Sequence, residues 1–173
     1  DRENANGFIQ MFLDAENKKE PIKFYINSPG GQITAGLAIY DVMQYVKAPV
    51  ETFCIGMAAS MGAVILSAGV KGSRRILEHA TVMIHQPSSG IGRATAADIE
   101  IVSRNIIKIK NTLYKLLAKN TGKTIDQIEK DCDRDYYMDS EESLAYGIVD
   151  EILITNKDWS FSSKIGEIEL ISL

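Results

Sequence analysis

Residues 52–70 read TFCIGMAASMGAVILSAGV, a run of nineteen residues without a charged side chain. A run of this length can span a bilayer. However, it contains three glycines and two serines, and it lacks the aromatic belt and basic flank that anchor a membrane helix. The half before Gly56 is rich in strand-forming residues and the half after it is helix-like. The run therefore predicts a buried strand followed by a buried helix at the centre of the molecule.

The whole chain has the composition of an ordinary globular protein. Of its 173 residues, 45% are apolar and 24% are charged, which excludes disordered and collagen-like classes. The length suits one domain with a sizeable core. The formal net charge is −4 and no basic tract exceeds Arg74-Arg75, so we expect neither a nucleic-acid surface nor a membrane partner.

Cysteine usage points to a reducing compartment. Cys54 and Cys132 are too few for a disulfide framework, and no secretory signal pattern opens the chain. The sequence begins at Asp1 rather than at Met, so we expect residues upstream of it to have been removed. It contains neither CxxC nor HExxH, so we expect no metal and no cofactor.

Helical and strand patterns alternate along the chain. Helices are predicted over 8–15, 33–46, 60–68, 95–119, 124–131 and 140–146, and strands over 22–27, 50–55, 74–77, 81–84, 136–138 and 148–154. This alternation predicts an α/β fold with parallel strand pairing. Helix 95–119 is long for a small domain. Its apolar seam suits either the core or a second subunit, and it consists of Ile99, Val102, Ile106, Ile109, Leu113 and Leu116. The alternating end of the tail, residues 155–173, is compatible with a terminal strand.

Three segments bear groups suited to catalysis. His85 follows the strand TVMI (81–84), at the end of a parallel strand where open α/β sheets form ligand crevices. Ser60 lies between a strand and a helix, where first-turn N–H groups can hold an oxyanion, or where a serine simply caps the helix. Gly30-Gly31 follows another strand and forms either a plain turn or a second source of N–H donors.

A serine nucleophile needs a base, and that base needs an acid to hold its tautomer. Ser60 and His85 supply the first two groups, whereas His79 lies in a polar turn and has no such setting. Spacing leaves five aspartates open as the acid: Asp131, Asp133, Asp135, Asp139 and Asp150. Cys54 in an apolar strand and Cys132 in an acidic run are expected to have raised thiol pKa values, so neither suits a nucleophile.

Five motifs, taken in order, resemble one family. FYINSPGG (24–31), GMAASMGA (56–63), MIHQP (83–87), CDRDYYM (132–138) and AYGIVDEI (145–152) resemble the proteolytic subunit of the Clp protease (ClpP). The resemblance runs over about residues 1–154 and implies a single domain of the crotonase/ClpP-like α/β fold, with a mostly parallel sheet and a projecting handle helix at 95–119. The family begins upstream of Asp1 with a pore-lining segment, and it offers no counterpart for 155–173.

The resemblance also implies an activity. Family members are serine endopeptidases that hydrolyse unfolded polypeptides inside two stacked heptameric rings, fed by an AAA+ unfoldase of the ClpX, ClpA or ClpC type. They work in the cytoplasm, or in an organelle matrix or stroma. By motif, Ser60 is the nucleophile, His85 the base and Asp135 the acid, and Gly31 and Met61 match the backbone oxyanion donors.

Further positions match the family's partner contacts. Tyr25 and Tyr45 match the surface pockets that dock unfoldase loops, and Asp133 and Arg134 match residues that link ring contacts to active-site order. Two alternatives stay open at this point. One is an acyl-CoA-acting enzyme of the same fold, and the other is a non-catalytic or conditionally active ring subunit that partners a paralogue.

Overall fold

The computed structural model describes residues 2–16 and 20–154 of the chain. Its elements, in order, are α1 (Arg2–Glu16), β1 (Ile22–Ser28), α2 (Ile33–Tyr45), β2 (Val50–Ala59), α3 (Met61–Ser67), β3 (Arg74–Leu77), β4 (Thr81–Ile84), α4 (Ala96–Thr121), α5 (Ile125–Asp131), β5 (Tyr136–Met138), α6 (Ser140–Tyr146) and β6 (Glu151–Leu153). The predicted α/β class is confirmed. The terminal strand suggested within 155–173 lies outside the described residues.

Strand β2 forms the centre of a six-stranded sheet. β1 pairs with it in parallel along one edge. Along the other edge, β3 pairs in parallel with the first half of β2, and β4 with its last three residues. β6 continues the sheet in parallel beyond β3, whereas β5 pairs antiparallel with β4. The sheet is thus mostly parallel, with one antiparallel strand that the alternation of elements did not predict.

β2 runs four residues beyond its predicted end at Ile55, because a bulge absorbs Gly56. Its register with β1 shifts by two residues between the pair Ile26–Cys54 and the pair Ser28–Ala58. Gly56 lies in this irregularity with φ of +71°, a conformation that favours glycine. The strand therefore continues through the residue at which the sequence pattern breaks, and it delivers Ser60 at its carboxyl end.

Helix α3 lies at the centre of the molecule, as the uncharged run predicts. All seven of its residues are buried, and it packs against α2, β2 and α4. In the part of the chain that the structure describes, no helix is long and apolar enough to cross a membrane.

A buried ion pair ties the ends of two helices to the sheet. Arg74 at the start of β3 is bonded to Asp150 with Nη2–Oδ1 of 2.6 Å. The same guanidinium donates to the carbonyl oxygens of Ser67, at the end of α3, and Asn120, near the end of α4. These bonds satisfy carbonyl groups that a helix end leaves without intrahelical partners.

Helix α4 leaves the core over its first half. A capping box between Thr95 and Asp98 begins it, and Gly122 in the left-handed conformation ends it. Its buried residues are confined to the last third: Leu113, Tyr114 and Leu117. Three isoleucines nearer its start are 47%, 62% and 52% exposed: Ile99, Ile101 and Ile107. The helix is therefore a projecting handle rather than an ordinary core helix.

Candidate active site

Ser60 stands on a strained turn between β2 and α3. Its φ of 56° and ψ of −120° make it the one non-glycine residue with positive φ in the described chain. Such a conformation costs on the order of 1–3 kcal/mol and is typical of functional sites. Ser60 occupies the N-cap position of α3, but its hydroxyl makes no capping hydrogen bond. The turn instead presents the hydroxyl to a neighbouring strand, as in the strained strand-to-helix turns that carry nucleophiles.

The imidazole of His85 meets this hydroxyl. His85 Nε2 lies 2.8 Å from Ser60 Oγ. The Ser60 N–H donates to the Met83 carbonyl over 2.8 Å, which fixes the turn against the strand that His85 follows. The neutral imidazole can thus accept the hydroxyl proton through Nε2, provided that its other nitrogen carries the ring proton.

Asp135 faces that other nitrogen. Its Oδ1 lies 3.3 Å from His85 Nδ1, slightly beyond the usual length of an N–H···O bond. Catalytic bonds are often this long before substrate binds. The approach follows from the antiparallel pairing of β5 with β4, which sets Tyr136 opposite Ile84.

The other four aspartates that spacing left open have different partners. Asp131 accepts a bond from Tyr146, Asp139 caps α6, and Asp150 pairs with Arg74. Asp133 lies on the surface beside Arg134, 3.8 Å from its Nε. Of the five aspartates, Asp135 is therefore the one whose carboxylate faces the imidazole of His85.

A small apolar cavity of about 140 Å³ adjoins Ser60 and His85. Its walls come from α3, the end of β4 and the last third of α4, with Ile33, Val64, Ile84, Leu113, Tyr114 and Leu117 among the lining residues. The contribution of α4 was not predicted, although Leu113 belongs to the seam that suggested either core or subunit packing. The buried end of the seam closes the site, and its first residue, Ile99, is 47% exposed.

The two expected oxyanion donors line the same cavity. Met61 is the first residue of α3, so its N–H has no partner within the helix. Gly31 follows Gly30, whose φ is +103° and whose N–H donates to the Ser28 hydroxyl over 3.0 Å. The structure thus places both residues beside Ser60, and their role stays a prediction.

Other titratable candidates do not join this group. Burial raises the thiol pKa of both Cys54 and Cys132 to about 12, as expected from their settings. His79 lies exposed in the turn between β3 and β4. Within residues 2–16 and 20–154, no cluster of three or more histidine, cysteine, aspartate or glutamate side chains is suited to a metal ion.

Comparison with known proteins identifies the family. The sequence profile described as Clp protease matches residues 1–156. The chain belongs to the Clp protease family. It is 53% identical over 151 residues to a protein named ATP-dependent Clp protease proteolytic subunit 3, from Synechococcus sp. (strain CC9902). That match covers 86% of this chain and 76% of the relative.

Two further relatives give the same result. The ATP-dependent Clp protease proteolytic subunit 2 of Prochlorococcus marinus (strain NATL2A) is 53% identical over 151 residues, and subunit 3 of Parasynechococcus marenigrum (strain WH8102) is 52% identical over 151 residues. Each match covers 86% of this chain and 76% of the relative.

The residues expected to contact partners of a Clp protease lie on the surface. Tyr25 is half-buried and stacks on Phe53 with ring centroids 4.7 Å apart, and the guanidinium of Arg75 lies over the ring of Phe53. Tyr45 is 75% exposed. The side chains of Asp133 and Arg134 are also exposed, next to Asp135. Their roles in docking and ring contact stay predictions.

Proposed function

We propose that this chain is a serine endopeptidase subunit, with Ser60 as nucleophile, His85 as general base and Asp135 as the acid that orients it. The observation that carries the proposal is the 2.8 Å contact between Ser60 Oγ and His85 Nε2. Family membership supports a peptidase, and the position of Asp135 at the far nitrogen supports its assignment as the third group.

The reaction follows from these positions. His85 takes the Ser60 proton as Oγ attacks the peptide carbonyl, and the N–H groups of Gly31 and Met61 stabilise the oxyanion. Each such donor is worth on the order of 3 kcal/mol in the transition state. His85 then gives the proton to the leaving amine, which leaves an acyl group on Ser60. Water attacks this acyl group by the same route and restores the hydroxyl.

The substrate we propose is an unfolded polypeptide with an apolar side chain next to the cleaved bond. The cavity beside Ser60 is lined mainly by aliphatic side chains, and its size suits one apolar side chain of the substrate. Few segments of a folded protein can enter a recessed site, so an extended, unfolded polypeptide fits the site better.

We also propose the family's assembly for this chain, a homo-oligomer of two stacked heptameric rings. The exposed isoleucines of α4 support it, since a handle with an apolar first half suits contact with a second copy. In this assembly Asp133 and Arg134 link ring contacts to the active site. Tyr25 and Tyr45 dock an AAA+ unfoldase of the ClpX, ClpA or ClpC type, which hydrolyses the ATP.

Residues 1–154 form the protease domain in this proposal, and the match of the family profile to residues 1–156 supports that boundary. A reducing location such as the cytoplasm, or an organelle matrix or stroma, suits two buried free thiols. No role is assigned to 155–173.

Hydrolysis of a short fluorogenic peptide tests the proposal. Wild-type protein cleaves the peptide, Ser60→Ala abolishes cleavage, and an acyl-CoA thioester is not a substrate. Turnover of the thioester with none of the peptide would favour the acyl-CoA-acting alternative. The relatives are named as numbered subunits, 2 and 3, so the assay is repeated with candidate partner subunits. Cleavage that persists in Ser60→Ala mixed with such partners would place the activity in the partner.

A further inference from the structure

Gln86 joins the segment that carries His85 to the segment that carries Asp135. We propose that Gln86 is a positioning residue, which acts by holding the loop that bears the acid against the imidazole. This inference rests on the proposed function of the three groups. Its backbone N–H and its side-chain amide both donate to the segment that precedes Asp135, so Gln86 acts through the acid.

The acid stands in a bulge between two anchor points. β4 and β5 pair in register from Val82–Met138 to Ile84–Tyr136. If that antiparallel register continued, Gln86 would face Arg134. Instead, the Gln86 N–H donates to the Cys132 carbonyl over 2.8 Å, two residues out of register. The residues between these anchors form a short loop, namely Asp133, Arg134 and Asp135.

The loop has little packing of its own. Cys132 and Met138 are buried on either side of it, but the side chain of Arg134 is 91% exposed and that of Asp135 is 58% exposed. An exposed carboxylate is stabilised little by a single long contact such as that with His85, because water screens the interaction. Its orientation towards His85 therefore depends on how the loop backbone is held.

The side chain of Gln86 forms a hydrogen bond with the loop itself. Its Nε2 donates to the Asp133 carbonyl over 3.0 Å, two residues from the acid. The backbone bond to Cys132 fixes the entrance of the loop, and this amide fixes its first residue. Because His85 directly precedes Gln86, these two bonds hold the loop that carries Asp135 close to the segment that carries Nδ1. Displacements of about 1 Å at such a site can cost up to about 100-fold in rate.

The variant Gln86→Met removes the amide and keeps the length of the side chain and the backbone bond. We expect kcat for the fluorogenic peptide to fall about tenfold while KM stays within about twofold, since the substrate cavity is unchanged. Gln44→Met is the matched control. Gln44 Nε2 also donates to a backbone carbonyl over 3.0 Å, that of Ala68, far from the loop in the chain. This control should lose as much thermal stability and no more than about twofold in kcat.

A double-mutant cycle distinguishes an effect of Gln86 through Asp135 from a general structural defect. If Gln86 acts through the carboxylate, then Gln86→Met in an Asp135→Asn background causes less than about a twofold further loss. A structural defect would instead multiply the loss of Asp135→Asn by the full tenfold. The rate at which a fluorophosphonate labels Ser60 can be measured in both backgrounds, even where peptide turnover is slow.

Two results would overturn the inference. One is an unchanged kcat in Gln86→Met, and the other is a loss of equal size in both backgrounds. If Gln86→Met fails to fold, Gln86→Glu takes its place, because an ionised carboxylate has the same shape and no donor. Failure of the proposed function appears separately, as peptide cleavage in wild type that Ser60→Ala does not reduce.

Discussion

At Gly30 the backbone passes so close to Ser60 that no side chain fits between them. A Cβ at residue 30 would lie 2.6 Å from Ser60 Cβ and 3.0 Å from the Ala59 carbonyl oxygen. Gly30→Ala should therefore displace the Ser60 turn. We expect kcat/KM for the peptide to fall by more than about 100-fold, because the turn sets the distance from Oγ to Nε2.

Gly72→Ala is the control for this substitution. Gly72 has a similar φ of +90°, but nothing lies within 4 Å of a Cβ built on it. It should lose roughly 1 kcal/mol of stability through the left-handed backbone and keep its activity. Equal activity in the two alanine variants would contradict the assigned role of the Ser60 turn.

The thiols of Cys54 and Cys132 should be unreactive in the native protein. A pKa of about 12 leaves Cys54 and Cys132 almost fully protonated near neutral pH, and both are buried. Since the thiolate is the reactive form, iodoacetamide should label neither in the native protein and both after unfolding. Mass spectrometry of native and urea-treated samples checks this. Loss of peptidase activity together with native labelling would show that a thiol contributes to the site.

Among the elements, the ends of α3 and α4 depend on the Arg74–Asp150 pair. Burial raises the pKa of Asp150, but the bonds that it accepts from Arg74 and from the N–H groups of Arg74 and Gly72 outweigh this. The pKa therefore lies below the ordinary value of 3.8. A lowered pKa means that the carboxylate stabilises the fold above about pH 3.8, and that this contribution is lost as pH falls through the lowered value.

Asp150→Asn should cost about 3 kcal/mol near neutral pH, since it leaves the buried Arg74 without its counter-charge. The difference from wild type should shrink as pH falls from about 3.8 through the lowered pKa of Asp150, below which the wild-type carboxylate is also neutral. Denaturant unfolding of both proteins across this pH range measures the effect. A penalty that does not change with pH would show that the ion pair is not its cause.

Local sequence patterns predicted the bounds of several short elements correctly. β3, β4, β5 and α6 have the predicted bounds, because each is short and bounded by turn residues. β2 is longer than predicted, since the bulge at Gly56 needs the pairing with β1 to be recognised. α1 begins at Arg2 rather than near residue 8, because its first turns carry few apolar residues to mark a period.

The candidate site was predictable in part. His85 follows a strand that the sequence pattern predicts. Ser60 begins the predicted helix 60–68, whereas the strand end directly before it depends on the bulge at Gly56. The choice of Asp135 came from the family resemblance alone, because five aspartates lie within a short region and only the β4–β5 pairing separates them. The bonds of Gln86 were missed for the same reason, since the bulge that creates them depends on strand register.

At the scale of the whole molecule, the exposed half of α4 should control assembly. Ile99→Glu places a charge on the apolar seam within the first turns of α4, where an acidic residue suits the helix dipole. If the chain forms the proposed double ring, we expect this variant to form single rings, seen as a halved mass in light scattering. Ile99→Leu keeps an apolar side chain at the same position of the helix, and it should keep the mass of wild type. Loss of assembly in both variants would show that the added charge on the apolar surface is not the cause.

The catalytic roles of Ser60 and His85 can be tested together by labelling the protein with a fluorophosphonate. Peptide mapping identifies the labelled residue, and the labelling rate is compared between wild type and His85→Ala. We expect a single adduct on Ser60 in wild type. Its formation should slow at least about 100-fold in His85→Ala, because the hydroxyl then has no base. An adduct on another residue, or labelling of Ser60 at the same rate without His85, would contradict these roles.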